Sequence, residues 1–456
     1  MPNNSFEYYI SSLARLASES DTSSVPINKD NLSSKISQCI PSFHERYSTE
    51  VEPLIHFVWI GNISSTSCKF IQLWSDRNPD YSVVLWRLHF GLLASKVKVY
   101  LNQLTKNLQF PSLSSAQDAF YDHYESLKLD SINVDLTLLS FLELHNKILY
   151  HEAKKEYIAL IEREKQLSKQ FDIRYIDQET GIFKNKRHKL NSYFTRKIIL
   201  RQNLACASDI FRLAVLYEHG GIYIDSDTMP CLNNLFPNCS QFYGENREEY
   251  RLLDAYKSQL VATELLNIDK QNAGGNLRAV IESLAPEAIE ALEADEIRPR
   301  SIDQVAPLGR LRVYKDSIRL SSDRNVAGDF NNNLIATHKH SRLIRIIIRE
   351  MCVRYRYLER NHLINSSKSS NTCPNTYYER LNNYRQDGDE SGNFVTLELT
   401  GPILILEVTL GVAYRVFDLG PLSQETLGLL LHMPELGFAF PDQTMYTYHH
   451  LESTWM

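Results

Sequence analysis

Leu204–Pro230 reads LACASDIFRLAVLYEHGGIYIDSDTMP, and this stretch decides the fold. Its first half has helical spacing: Ile210, Leu213, Ala214 and Tyr217 recur at three- and four-residue steps on one face. Gly220-Gly221 follows, and glycine ends a helix in a left-handed conformation without a Cβ clash. Ile222-Tyr223-Ile224-Asp225 then alternates with period two, so a strand points its isoleucines one way and Tyr223, Asp225 and Asp227 the other. Asp209 and Arg212 stand one turn apart on a shared helix face. Two carboxylates at the mouth of a buried strand are costly without a positive partner. A divalent cation suits them, because Mg²⁺ and Mn²⁺ take hard oxygen ligands. This is a site.

Upstream, Leu54–Ile60 (LIHFVWI) is a dense apolar run closed by Gly61-Asn62, as in a parallel strand covered on both faces. A helix carrying Phe70, Leu73 and Trp74 follows, Asn78-Pro79-Asp80 turns the chain, and Tyr81–Trp86 makes a second strand. Strand, helix, strand opens an α/β sheet with nucleotide-binding potential. Residues 110–200 break that rhythm and are mostly helical, with Leu136, Leu139, Leu142 and Leu149 in one segment. Glu152–Gln170 reads as a solvated helix laced with i,i+4 pairs. Lys184–Lys189 reads as a solvated basic loop, a phosphate or membrane patch being the alternative.

More helices occupy 245–298, and Gly328–Ile335 leads into a long helix from Arg342 to Arg360. Leu343, Ile347, Met351, Tyr355 and Leu358 line one side of it, which reads as core-facing in preference to a basic amphipathic membrane helix. Residues 361–393 are loop-like, and Gly401-Pro402 opens an apolar segment, Ile403–Tyr414. Residues 5–18 form a short amphipathic helix (Phe6, Ile10, Leu13, Leu16). The domain reading is an N-terminal helical extension over 1–50 and one catalytic domain over 51–456, with a helical insertion at about 110–200.

Composition sets the outer limits. The 456 residues are 43% hydrophobic and 23% charged, the balance of a globular protein with a substantial core. A net charge of −6 argues against general nucleic-acid binding. Seven cysteines (39, 68, 206, 231, 239, 352 and 373) form no CxxC pair and no zinc-ligand spacing, which suggests reduced thiols. No stretch approaches eighteen uninterrupted apolar residues. MPNNSFEYYISSLARLASES lacks the basic-then-apolar layout of a secretory signal.

ASDIFRLAVLYEHGGIYIDSDTMP resembles the DXD core of the large clostridial glucosylating toxins and of a wider DXD sugar-transferase superfamily that includes fungal mannosyltransferases. IHFVWIG, NNNLIATHKHSRLIRIIIREMCVRYRYL, LELTGP and a terminal Ser-x-Trp recur in similar order in those catalytic domains. The resemblance implies a GT-A fold: a Rossmann-like mixed central sheet flanked by helices, with helical insertions. It also implies site roles by position. Trp59 is similar to the tryptophan that stacks on the uracil of a UDP-sugar, and Leu204 and Ser208 fall where the uridine pocket is lined. Asp209 and Arg212 match the pair that grips sugar hydroxyls and diphosphate; a carboxylate accepts hydroxyls and a guanidinium forks across oxygens. Tyr223 touches the donor, Asp225 holds ribose and sugar hydroxyls, and Asn332 contacts the transferred sugar. Asp227 binds Mn²⁺ or Mg²⁺; Ser453 completes the metal shell and Trp455 hydrogen-bonds the glycosidic oxygen. His450 stands where the toxins place a glutamate ligand, and imidazole is a sound ligand for Mn²⁺. Asn331 and Asn333, beside Asn332, occupy the flanks that in the family select glucose or N-acetylglucosamine.

The implied chemistry is transfer of a hexose from UDP-glucose or UDP-GlcNAc with retention of configuration. No second carboxylate is placed as the nucleophile of a retaining hydrolase, so an ion-pair-like path is expected. The implied acceptor is a hydroxyl side chain of a host protein, a Rho/Ras-type small GTPase. The implied setting is a toxin or effector secreted without a standard signal peptide, acting in the host cytosol with peripheral membrane contact. Two other classes stay open. Ile222–Thr228 fits the hydrophobic-DxDxT pattern of aspartyl-phosphate phosphohydrolases, with Asp225 as nucleophile and Asp227 as acid. A UDP-sugar-binding protein without turnover is the second.

Overall fold

Strand β2 (Leu54–Trp59) takes a central place in a seven-stranded sheet because both its faces are apolar: Ile55 and Phe57 enter one buried cluster and Val58 the other. The computed structural model describes residues 47–440 apart from 177–180, 184–188, 242–246, 270–276, 278–285, 323–329, 365–376, 387–394, 418–427, 429 and 433–436. The sheet order is β4 (Asp172–Tyr175), β3 (Ser82–Arg87), β2, β5 (Gly221–Ile224), β8 (Phe330–Thr337), β7 (Arg319–Ser322) and β9 (Ala439–Phe440). β4, β3, β2 and β5 are mutually parallel, β8 is antiparallel to β5 and β7, and β9 is parallel to β7. β1 (Ser48–Glu50) and β6 (Arg312–Tyr314) form a separate antiparallel pair.

The helices are α1 (Ser65–Arg77), α2 (Val97–Lys106), α3 (Leu113–Leu127), α4 (Val134–His145), α5 (Lys147–Leu167), α6 (Leu190–Ile199) and α7 (Leu204–His219). After β5 come α8 (Pro237–Gln241), α9 (Arg247–Leu260), α10 (Pro286–Glu296), α11 (Arg342–Arg360), α12 (Val395–Leu399) and α13 (Pro402–Phe417). The chain steps outward from β2 to β3 and β4, then returns to lay β5 on the other side of β2. Strand order therefore reverses between β2 and β5, and an α/β sheet leaves a crevice at the carboxyl ends of its strands where that happens. Trp59 ends β2 there and Asp225 follows β5 there.

The turn between α7 and β5 makes this arrangement possible. The Asn203 side chain caps α7 by accepting from Cys206 N at 2.9 Å. The helix ends at Gly220 with φ +68° and ψ −156°, an extended positive-φ conformation essentially confined to glycine and not the left-handed one the sequence suggests. Gly221 follows at φ +85°, where a Cβ would lie 2.6 Å from the Leu54 carbonyl oxygen. His56, fully buried in β2, donates from Nε2 to the Gly220 carbonyl at 2.9 Å and accepts from Trp86 Nε1 at Nδ1, 3.2 Å away. That pair of bonds fixes a neutral imidazole, and burial lowers its pKa to about 3. β5 then alternates as its pattern demands, with Ile222 and Ile224 in one apolar cluster and Tyr223 in the other.

α11 has the bounds the periodicity predicts, and Leu343, Ile347, Met351, Tyr355 and Leu358 are all buried. Four features differ from the sequence reading. The leucine-rich segment is two helices, because Asn146 leaves the helical region (φ −156°) and its side chain caps α5 through Ile148 N and Leu149 N. The mostly helical stretch also supplies strand β4, which pairs with β3. Residues 330–337 form β8; its three asparagines hide the alternation that would have announced a strand. The outer helix α5 is more than solvated surface: Glu164 takes Arg87 of β3 at 2.8 Å and Glu156 takes Lys96 at 2.8 Å.

By length and composition one helical window, Val395–Val412, is apolar enough to cross a membrane, with mean hydropathy 1.6. It is interrupted at Thr400-Gly401, and its carboxylates are paired: Glu398 with Arg380, Glu407 with Arg354 and Arg380. Residues 5–18 and most of Lys184–Lys189 lie outside the described residues.

Gly221→Ala should cost more than the ~1 kcal/mol of an ordinary strand substitution, since the positive φ and the Leu54 carbonyl both oppose it; urea unfolding measures this. His56 sets a pH dependence. The unfolded imidazole gains a proton near pH 6.5 while the folded one refuses it until about pH 3, so its contribution to stability falls as pH drops through that window. His56→Gln should remove a slope of about 1.4 kcal/mol per pH unit from the unfolding free energy between those limits.

Candidate active site

The side chain at the centre of the site is Arg212, buried on α7. Its Nη2 lies 3.0 Å from Asp209 Oδ1 and 3.0 Å from Asp225 Oδ1, and Nη1 donates to the Asn332 carbonyl at 2.9 Å. The guanidinium also sits over the Tyr223 ring, 4.2 Å from its centroid. Tyr223 donates its hydroxyl to Asp225 Oδ1 at 2.5 Å, and the Ser208 side chain bonds to Tyr223 in turn. One cation thus serves two carboxylates, and the more deeply buried of them bears the excess charge. Burial, and then the nearby Asp225, push the Asp209 carboxyl up to about 7, against the opposing pull of Arg212.

β8 brings the third element. β7 and β8 are out of step here: Leu320 pairs with Ile335 and the next residue, Ser321, with Asn331. The residues left over, 332–334, form an irregularity that re-aims side chains. Asn332 turns its Nδ2 to Asp209 Oδ1 at 3.2 Å. Asn333 turns elsewhere, bonded to Ser321 and to Thr228 Oγ1, while its carbonyl accepts from Asp225 N at 2.8 Å. Asn331 Oδ1 accepts from Asn332 N at 2.7 Å.

Thr228 N donates to the Asp225 carbonyl at 2.9 Å, closing a turn over Asp225–Thr228 that leaves Asp227 half-buried. Among the described residues no side chain hydrogen-bonds to the Asp227 carboxylate, and no group of three or more His, Cys, Asp or Glu residues is arranged to hold a metal. Three buried polar atoms along this edge lack a partner among the described residues: Trp59 Nε1, Arg212 Nε and Asn332 Oδ1.

Comparison with known proteins places this geometry. The family model described as the TcdA/TcdB catalytic glycosyltransferase domain matches residues 54–429. The chain belongs to this family. Toxin A of Clostridium novyi is 26% identical over 358 residues, which are 72% of this chain and 16% of the toxin. Toxin B of Clostridioides difficile is 28% identical over 211 residues, 40% of this chain and 8% of the toxin. The chain therefore spans about a sixth or less of the length of the toxins it matches. Among solved structures, the catalytic domain of alpha-toxin from Clostridium novyi superposes with TM-score 0.64 at 20% identity, covering 92% of this chain and 85% of that one. The UDP-bound glycosyltransferase domain of the YGT toxin gives 0.58 at 18% identity, covering 90% and 82%. The fold is that of the GT-A toxin glycosyltransferase domains.

Of the residues the sequence singled out in this glycosyltransferase domain, Asp209, Arg212, Tyr223, Asp225 and Asn332 form one bonded cluster, joined by Ser208 through Tyr223. Trp59 and Asp227 share its sheet edge, and Leu204 is half-buried one turn before Ser208. His450, Ser453 and Trp455 lie outside the described residues. Asn333 is buried and bonded to Ser321 and Thr228, whereas Asn332 bonds to Asp209. The Cys206 thiol is fully buried, in contact with the Thr400 and Tyr355 hydroxyls. Sequence reading missed Thr400, which donates to Asp209 Oδ2 at 3.1 Å; its signal was the LELTGP motif, to which no residue role had been attached.

Arg212→Met should leave two carboxylates uncompensated and cost about 3–5 kcal/mol at pH 8. Arg212 pulls the Asp209 carboxyl down, so without it the folded variant takes up the proton at a higher pH than the folded wild type does. The variant's deficit should therefore shrink as pH is lowered from 8 to 5, measured by chemical denaturation at both.

Proposed function

We propose that this domain is a retaining, metal-dependent transferase that moves a glucose or N-acetylglucosamine unit from its UDP conjugate to a hydroxyl side chain of a host protein, a small GTPase of the Rho/Ras type. The observation that carries the donor part is the trio of unpartnered buried polar atoms, Trp59 Nε1, Arg212 Nε and Asn332 Oδ1. An unmet buried hydrogen-bonding group costs about 1–3 kcal/mol, so each of the three favours a polar ligand that meets it. The UDP bound to the YGT toxin domain supports the nucleotide, and the relatives' description as toxins supports a target in another cell's cytosol.

In this reading Trp59 stacks on the base, with Leu204 and Ser208 lining the uridine pocket. Asp209 accepts sugar hydroxyls, Arg212 donates to them and to diphosphate oxygens, and Tyr223 and Asp225 hold the ribose side. Asn332 turns its free Oδ1 to a sugar hydroxyl. The Asp227 carboxylate, which has no side-chain hydrogen bond among the described residues, fits a hard divalent cation, Mn²⁺ or Mg²⁺, and His450 and Ser453 would be the remaining side-chain ligands. When bound there, the cation would supply charge neutralisation to the pyrophosphate leaving group. Trp455 donates to the glycosidic oxygen. Acceptor deprotonation falls to the departing phosphate, because Asp225 is already engaged by Arg212 and Tyr223. That engagement also disfavours Asp225 as a phosphatase nucleophile. The domain reading, an extension over 1–50 and a catalytic unit over 51–456 with a helical insertion, belongs to the same proposal, as does peripheral membrane contact.

Incubation with UDP-glucose and UDP-GlcNAc plus Mn²⁺ tests the donor, with p-nitrophenyl phosphate as the phosphatase control. Asp227→Asn should abolish turnover of the sugar nucleotide, and Trp59→Ala should raise KM about ten-fold or more, in line with ~1–3 kcal/mol for base stacking. A fully active Asp227→Asn enzyme would remove the cation assignment. Mass spectrometry of host lysate after labelling with both donors identifies sugar and acceptor together.

A further inference from the structure

Asp209 is fully buried, and its two oxygens are held differently. Oδ1 takes Arg212 Nη2 and Asn332 Nδ2, both of which belong to the ligand-facing cluster. Oδ2 takes the hydroxyl of Thr400, which follows α12. A carboxylate offers about four acceptor directions, so three bonds leave one for a substrate hydroxyl. Where that one points depends on the rotation of the carboxylate plane, and Oδ2 is the handle.

Thr400 is itself 1% exposed and has a single proton to give. Its Oγ1 is 3.1 Å from Asp209 Oδ2, 3.3 Å from the Thr396 carbonyl and 3.1 Å from Cys206 Sγ. Once deprotonated, the Asp209 carboxylate outcompetes a neutral carbonyl for that proton. The Cys206 thiol also lies 3.8 Å from the Tyr355 hydroxyl; with the Thr400 proton given to Asp209, the nearer contact is consistent with the S–H donating to the Thr400 oxygen. The tie is rigid. Asn203, the cap of α7, donates from Nδ2 to Thr396 Oγ1 at 2.8 Å, and Gly401 N and Thr400 N both close on the Thr396 carbonyl. A Cβ at Gly401 would meet Leu397 Cα at 2.9 Å, so the turn carrying Thr400 is seated tightly on α12. Cys206 of the ACASD segment and Thr400 of LELTGP are thereby one device.

We propose that Thr400, with Cys206 behind it, is the positioning residue that sets the Asp209 carboxylate for the sugar hydroxyls of the donor. It rests on the donor-site reading above. Thr400 touches neither nucleotide nor sugar; it acts through Asp209, so its loss is felt by the sugar half of the ligand and not by the UDP half.

The test titrates UDP, UDP-glucose and UDP-GlcNAc into the full chain with Mn²⁺ by calorimetry and follows donor hydrolysis for kcat and KM. Thr400→Val should keep the wild-type affinity for UDP within about two-fold, yet lose about ten- to hundred-fold in kcat/KM for the preferred sugar nucleotide, the worth of a hydrogen bond to a charged group. Thr400→Ser should restore it. Equal loss of UDP and UDP-sugar affinity in Thr400→Val, or a ratio unchanged from wild type, overturns the assignment while leaving the donor site standing. A wild-type protein that binds neither UDP nor a sugar nucleotide overturns both. If Thr400→Val does not fold, Cys206→Ala and Cys206→Ser decide: the alanine variant should lose several-fold in the same sugar-dependent ratio and the serine variant regain it, and identical values for the two overturn the proposal.

Discussion

A single buried guanidinium holds the site together. Arg212 joins helix α7 to the end of β5 through Asp225, to β8 through the Asn332 carbonyl, and to its own helix through Asp209. Removing a charge from water costs several kcal/mol, and the surrounding acceptors and the Tyr223 ring offset it. The same neighbours would be unfavourable without it, since Asp209 and Asp225 would face each other as like charges. The cluster is therefore coupled: no member's geometry is independent of the rest.

That coupling explains which parts were legible. α7, the glycine pair and β5 announce themselves by period and by glycine, because each is dictated by local rules of burial and backbone shape. The bounds of α11 follow from five apolar positions at helical spacing. β8 was hidden: Asn331, Asn332 and Asn333 carry no apolar alternation, and their faces are assigned by an offset in pairing with β7 that no local pattern encodes. Asn146 was hidden for a related reason, as the leucines on either side of it keep helical spacing across a break that one capping side chain makes.

Among side chains the division is similar. Asp209, Arg212, Tyr223, Asp225 and Asn332 were named from motifs, and they meet in space as expected. What motifs alone did not supply was the ordering of burial that raises Asp209 while Asp227 stays half-buried. Nor did they reveal long-range ties such as Arg87 to Glu164, which binds the outer helix α5 to the strand beside Trp59. Arg354 of α11 is likewise buried, three residues after Met351 and four before Leu358 on the core-facing side, and bonded to Glu350 and Glu407.

The partners of Asp209 are met in a fixed order along the chain: Arg212 after three residues, Asn332 after 123 and Thr400 after 191. A ribosome releases them in that order. Until residue 400 is out, the carboxylate has one oxygen unsatisfied, and until residue 332 is out the Arg212 cation lacks its carbonyl as well. Closure of such distant contacts is slow. A nascent chain halted in between would carry a charged, half-built interior, the kind of species that chaperones retain. The site that defines the finished enzyme is thus completed late in synthesis, ahead of the core contacts of α13 and β9.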